Sequence, residues 1–190
     1  MFPVLLQTNR LVLRRFGPGD APAFAAYRSD PDVARYQAWD APYPLAKAER
    51  FVAEQARANP RDDGWFQYAV ERNDQPGLIG DVGVCRSDEG RQAELGFTFA
   101  PAHQGHGYAR EAATRVIEFL LVEEGLHRHT ADADRSNVHS VRLLERLGFR
   151  REGHLVASTW AKGEWTDDLL FGLLAIEWRG GEAAHRGEHR

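Results

Sequence analysis

Residues 100–119, APAHQGHGYAREAATRVIEF, decide how the chain is to be read. Gly105, Gly107 and Ala109 are small residues set just before a segment in which Ala109, Ala112, Ala113, Val116 and Leu120 fall at helical spacing. In front of them QAELGFTFA (92–100) alternates and predicts a strand. A strand, a glycine loop and a helix in succession leave the first helical N–H groups unpaired, at the positive end of the helix dipole. Glycines let a ligand approach that backbone closely. The ligand such a loop suits is a phosphate or pyrophosphate. A tight turn that binds nothing is the alternative on these residues alone.

Working outward, GWFQYAVER (64–72), LIGDVGVCR (78–86) and QAELGFTFA are separated by DQPG and DEG and predict an antiparallel meander. Further upstream RLVLRRF (10–16) predicts a strand. Helices are predicted over 20–27, with Asp20 as N-cap and Pro22 in the first turn, and over 45–58. The segment between them is broken by Pro31, Pro42 and Pro44. Downstream, the helix after the loop closes at Gly125; a strand (126–134), a helix (136–148) and two strands (149–159 and 167–178) follow. The order is β-α-α-β-β-β-α-β-α-β-β. Passage from strand through helix to strand requires a parallel pair, so the expected class is α/β with a mixed sheet.

A chain of 190 residues fits one domain with its own core. Its net charge of −4 offers no electrostatic case for nucleic acid. The single cysteine, Cys85, excludes an intramolecular disulfide and a cysteine metal cluster, and fits a reducing cytoplasm. No signal peptide and no bilayer-length apolar run are read, so neither export nor a membrane is expected. His127 and His129 alternate onto one face of their strand and Asp132 and Asp134 onto the other, a poor ligand set, so no metal is expected. Residues 179–190, rich in glycine and charge, are expected to form a flexible tail.

Two phosphate motifs are excluded. No Gly-Lys-Ser/Thr follows the loop, and in GHGYAR Arg110 occupies the third glycine position of a dinucleotide fingerprint. A third pattern fits: Gln104, Gly107 and Ala109 resemble the Q/R-x-x-G-x-G/A signature of the GNAT acyltransferases. TNRLVLRRFGPGDAPAF, AELGFTFAPAHQGHGYAREA, NVHSVRLLERLGF and DDLLFGLLAIEW resemble, in order, segments of its ribosomal-protein alanine/serine N-terminal acetyltransferase branch. The resemblance spans residues 6–178 and implies a single acetyltransferase domain of GNAT fold. It also implies acetyl-CoA as cosubstrate, a primary amine as acceptor (a protein N-terminus or a small molecule) and room for a homodimer. A domain of this fold that binds acyl-CoA without transferring it is the alternative.

The resemblance assigns roles. The backbone of Gln104, Gly105, His106, Gly107, Tyr108 and Ala109 would hold the pyrophosphate. The backbone of Phe97, Thr98 and Phe99 would hold the pantetheine arm, on a strand that splays from its neighbour. Asn137 would touch the same arm; on residues alone it is a helix N-cap. Glu94 would be the general base, although a strand glutamate also simply faces solvent. Ser140, one turn beyond Asn137, would donate to the thioester sulfur, or bond back to its own helix. Many members carry YEKLGF where this chain has LERLGF; Leu144 takes the place of their acidic tyrosine. Trp39, Tyr43 and Trp160, with Tyr36, are candidates for the acceptor walls, and packing on the sheet is the other use of each. Asp40, Asp167 and Asp168 could attract a cationic amine.

Overall fold

The computed structural model describes residues 4–178; the expected tail, 179–190, lies outside them. Alternating apolar positions build one eight-stranded sheet in the order β1-β2-β3-β4-β5-β6-β8-β7. The strands are β1 (Val4–Gln7), β2 (Leu11–Arg14), β3 (Gly64–Arg72), β4 (Leu78–Ser87), β5 (Gln92–Phe99), β6 (Arg128–Asp134), β7 (Arg150–Ala161) and β8 (Glu164–Leu174). The helices are α1 (Ala21–Arg28), α2 (Pro31–Ala34), α3 (Leu45–Arg57), α4 (Tyr108–Glu118) and α5 (Val138–Arg146). The sheet is mixed, as the strand–loop–helix passage requires: β5 and β6 run parallel and every other described neighbour pair is antiparallel.

Each face of the sheet is covered by helices. Ala112, Ala113, Val116 and Ile117 of α4 and Val141 and Leu144 of α5 join Leu13, Tyr68, Val82, Leu95 and Phe171 in one core. Alanines on α4 let its backbone sit close to the strands. Phe24 of α1 and Val52 of α3 join Phe16 and Tyr43 in a second core on the other face. Fully burying such a side chain stabilises by roughly 1.5–3 kcal/mol, so these two layers hold the sheet flat against its helices.

The element list departs from expectation at three places. An extra strand, β1, folds back antiparallel on β2, with Thr8 closing the turn through its N–H to the Leu11 carbonyl (2.9 Å). The apolar run before Thr8 lacks alternation, so its pairing was not legible. The proline-broken segment contains α2: Asp30 caps it by accepting from the N–H groups of Asp32 (2.9 Å) and Val33 (3.2 Å), and Pro31 occupies its first turn. The last strand stops at Leu174, and residues 175–178 make a helical turn. Asp20 precedes α1 but does not cap it. Its carboxylate is taken by the buried Arg14 guanidinium (2.7 and 2.9 Å) and the Gly17 N–H (2.8 Å). A bidentate fork from a guanidinium binds a carboxylate more strongly than a single backbone N–H does.

One feature of the sheet positions everything that follows. The β5–β6 ladder runs only from Gln92↔Arg128 to Glu94↔Thr130. Beyond Glu94, β5 stays paired to β4 as far as Phe99, and β6 stays paired to β8 as far as Asp134. The two parallel strands therefore part and open a wedge in the middle of the sheet.

Candidate active site

The wedge receives the two most informative loops of the chain. After Phe99 the backbone turns through residues 100–107 into α4, with Gly105 (φ 76°) and Gly107 (φ 79°) in the left-handed region. Only glycine holds that conformation without strain. No side chain caps α4. Three of the loop carbonyls are occupied: His106 Nδ1 lies 2.7 Å from the Gln104 oxygen, Arg10 donates to the His106 oxygen (3.1 Å), and Glu111 N–H donates to the Gly107 oxygen (3.0 Å). Gln104 anchors the loop by donating from its side-chain amide to the Phe99 carbonyl (2.9 Å). The N–H groups of Gly105, His106 and Gly107 have no acceptor among the described residues. This is the geometry of an anion cradle.

On the other strand, residues 135–137 turn β6 into α5. Asn137 caps α5, accepting from Ser140 N–H (3.2 Å). The Ser140 hydroxyl makes no hydrogen bond among the described residues.

Two cavities flank the wedge. One, of about 840 Å³, is lined by Phe97, Thr98, Phe99, the residues from Gln104 to Ala109 except His106, and Asn137, Ser140 and Leu143. Its charged walls are Arg35, Arg110 and Arg146 against Asp32. The other, of about 780 Å³, is lined by Glu94, Leu95, Gly96, Trp65, Trp165 and the hairpin end of β7 and β8. Its charges are Glu94, Asp132, Asp134, Glu164, Asp167 and Asp168 against Arg35, Arg135 and Lys162. Both cavities share Arg35, Tyr36, Gln37, Phe97, Asn137 and Ser140. A cation-walled chamber and a carboxylate-walled chamber thus meet at Phe97 and Ser140.

Glu94 is half-buried on the carboxylate side. Burial first, and then the neighbouring Asp132 carboxylate, push its carboxyl above the usual range. Asp132 follows Thr130 on the same face of β6, at the point where the strands have parted. Trp65, Cys85, Glu94 and Thr130 form one row across β3, β4, β5 and β6. Cys85 is a partly buried member of that row, its thiol raised by burial and then by Glu94 and Asp63.

The aromatic residues divide differently from the expectation. Tyr43 is buried in the second core and lies outside both cavities. Trp39 also lies outside both: its ring covers Arg28 (3.9 Å from Cζ) and its indole N–H donates to the Arg28 carbonyl (3.1 Å). The two rings, with Phe24 (4.1 Å), enclose the buried Arg28, which pairs with Asp81 (3.4 Å). Trp160 is exposed and packs edge-on against Trp165 (5.4 Å), and it is Trp165 that reaches the cavity. Trp65 was not read as a site residue. Its signal was there: it occupies the alternate face of a strand whose Phe66, Tyr68 and Val70 are buried. Asp132 had no such signal, because its neighbour Glu94 is distant in sequence. Leu144 is buried beneath the junction and lines the carboxylate cavity.

Lys162, at the tip of the β7–β8 hairpin, reaches across to the segment that follows α2. It bonds Asp40 Oδ1 (2.7 Å) and the Trp39 carbonyl. The tip is a two-residue turn, Lys162 (φ 50°) and Gly163 (φ 87°), the geometry that fits the twist of a hairpin. Among the described residues no group of His, Cys, Asp and Glu is placed to hold a metal, and no helix is long and apolar enough to cross a membrane.

Residues 10–150 match the acetyltransferase (GNAT) domain family. An uncharacterized N-acetyltransferase of Bacillus subtilis (strain 168), YnaD, is 30% identical over 91% of this chain and 98% of its own length. The [ribosomal protein uS5]-alanine N-acetyltransferase of Escherichia coli (strain K12) is 33% identical over 61% of each chain. The crystal structure of spermidine N-acetyltransferase from Vibrio cholerae in complex with CoA and spermine superposes with a TM-score of 0.77 at 25% identity, covering 90% of this chain and 99% of that one.

Proposed function

The chain belongs to the GNAT acetyltransferases and is an acetyl-CoA-dependent acetyltransferase, and from that premise we propose that it carries the acetyl group directly to a primary amine with both substrates bound at once. The observation that carries this reading is the meeting of the two chambers at Phe97 and Ser140. A polyanionic cosubstrate fits the cation-walled one, whose glycine loop offers unpaired N–H groups. An amine fits the carboxylate-walled one. Holding both at one junction converts a bimolecular encounter into an oriented one, an advantage that reaches ~7–11 kcal/mol in well-aligned systems.

Acetyl-CoA, when bound, supplies an activated acetyl group on a good leaving sulfur. The protein's part is then threefold. Glu94 takes a proton from the acceptor ammonium, directly or through water, so that the nitrogen can attack; its raised carboxyl suits a base working near neutrality. The N–H groups of Phe97 and Phe99, which face the free edge of β5, polarise the acetyl carbonyl where negative charge develops. As the C–N bond forms and the C–S bond breaks, the nitrogen gives its second proton to solvent, the Ser140 hydroxyl donates a hydrogen bond to the departing sulfur, and solvent protonates that sulfur. A thiol pKa of about 8.5 makes that departure tolerable without a tyrosine at position 144.

The acceptor is a protein N-terminal amine or a small-molecule amine. The relatives named above acetylate one of each kind, ribosomal protein uS5 and spermidine. The same reading puts the protein in the cytoplasm. The test is thiol release from acetyl-CoA over a panel of N-terminal peptides and small amines, with CoA affinity measured by calorimetry. Binding with release from one amine class supports the proposal. Binding with no release from any amine defeats direct transfer and leaves a binding domain.

A further inference from the structure

The segment Thr8-Asn9-Arg10 belongs to the family-like sequence, and the chemistry above does not use it. It forms the turn between β1 and β2, remote in sequence from the glycine loop, yet it is bonded to that loop. Arg10 donates from one guanidinium nitrogen to the His106 carbonyl (3.1 Å) and from Nε to Glu111 Oε2 (2.6 Å). Its backbone N–H donates to Glu111 Oε1 (3.0 Å), and the Thr8 hydroxyl donates to the same oxygen (2.6 Å). The guanidinium also stacks over Tyr108, 4.7 Å from the ring centre, and Tyr108 stacks on His106 (5.7 Å, 14° between planes).

From this geometry we infer that Arg10 is a positioning residue for the anion-binding loop, clamping the His106–Gly107 peptide in the orientation that aims the Gly107 N–H into the cation-walled cavity. This rests on the reading of that cavity as the seat of the CoA pyrophosphate. The physical step is short. In a trans peptide the C=O and N–H point in opposite directions. With the His106 oxygen drawn toward Arg10, the Gly107 N–H must point away from Arg10, toward the side lined by Gly105, Gly107, Tyr108 and Ala109. The peptide needs such a hold, because Gly105 and Gly107 remove the steric barriers that would otherwise keep one orientation.

Charge supplies the second half of the argument. Glu111 stands in the first turn of α4, where a free carboxylate would repel an incoming phosphate. Burial works to raise its carboxyl, but the Thr8 and Arg10 donors outweigh burial and hold it below the usual range, so it is ionised. Arg10 both neutralises that charge and turns it away from the loop. Glu111 in return fixes the guanidinium so that its other arm meets the His106 carbonyl. Removing Arg10 leaves a mobile peptide and an unneutralised negative charge at the cradle.

The experiment is calorimetric titration of coenzyme A into the wild-type chain and into Arg10→Lys and Arg10→Ala, with thermal melting of each to establish the folded fraction. Losing a hydrogen bond to a charged group beside the ligand predicts a Kd at least about tenfold higher for Arg10→Ala, with Arg10→Lys between it and wild type because a lysine keeps the charge but not the fork. A merely structural role would lower the melting temperature and leave the Kd of the folded protein unchanged, and that result overturns the inference. Should Arg10→Ala fail to fold, Arg10→Lys decides: binding as tight as wild type overturns it, and weaker binding supports it. Absence of CoA binding by the wild type would remove the reading of the cavity itself, a failure seen before any variant is made.

Discussion

The Glu94 carboxyl on β5 and the Asp132 carboxyl on β6 meet just past the last rung that joins their strands. Burial first, and then the like charge of Asp132, raise the proton affinity of Glu94. Glu94→Gln is expected to lower kcat by about 10²–10⁴-fold while leaving CoA binding unchanged, measured by thiol release and calorimetry. A variant retaining wild-type turnover would remove Glu94 from the chemistry.

The pH dependence follows from the same pair. The base must be deprotonated, so activity falls as pH drops through the raised Glu94 value. The acidic limb of kcat/KM should lie above the ordinary carboxylate range. Asp132→Asn takes away the neighbouring negative charge and should move that limb to lower pH. A limb that stays put would show that burial alone sets it.

Leaving-group assistance has two hydroxyl candidates at the junction, Ser140 and Tyr36, and neither makes a hydrogen bond among the described residues. With Leu144 where other members carry a tyrosine, Ser140→Ala should reduce kcat about tenfold, the worth of one hydrogen bond to a charged sulfur. Tyr36→Phe should leave kcat within about twofold on the same reasoning. The reverse pattern would assign the role to Tyr36.

Lys162 ties the hairpin tip to Asp40 in the segment after α2. The pair is exposed, so its worth is modest. Lys162→Met should raise the acceptor KM by about two- to fivefold and leave the acetyl-CoA KM unchanged. Equal changes in both constants would mean that the tip serves the fold rather than acceptor binding.

His129 predicts how stability responds to acid. It is fully buried, and burial, against its bond to the Ala93 carbonyl (3.1 Å) and with help from Arg86, lowers its pKa to about 4. The unfolded chain protonates the same ring near 6.5. The unfolded state therefore binds the extra proton first. Stability is full above about pH 6.5 and declines as pH falls toward 4, by at most about 3 kcal/mol. Urea melts across that window should show the slope, and His129→Leu should remove its share.

How much of this was legible before the fold was known can be judged residue by residue. The strand, glycine loop and helix around Gly105 and Gly107 were readable, because backbone conformation and helical period are local properties. The Asn137 cap was readable for the same reason. Trp39 and Tyr43 were readable as aromatic but not as the enclosure of Arg28, because that depends on which face of α1 the 35–44 segment crosses. The carboxylate-walled cavity is lined instead by Trp65 and Trp165, from strands far apart in the chain.

By itself, then, the sequence determined the order of the elements other than β1 and α2, the loop that suits an anion and the leucine at position 144. Each is written in the spacing or identity of neighbouring residues. Only the tertiary structure decided where β5 and β6 part, that Asp132 arrives beside Glu94, and that Arg10 reaches across about a hundred positions to hold the His106 carbonyl. Those relationships come from strand pairing and packing between remote segments. Periodicity carries no record of them, because any of several partners would satisfy it equally well.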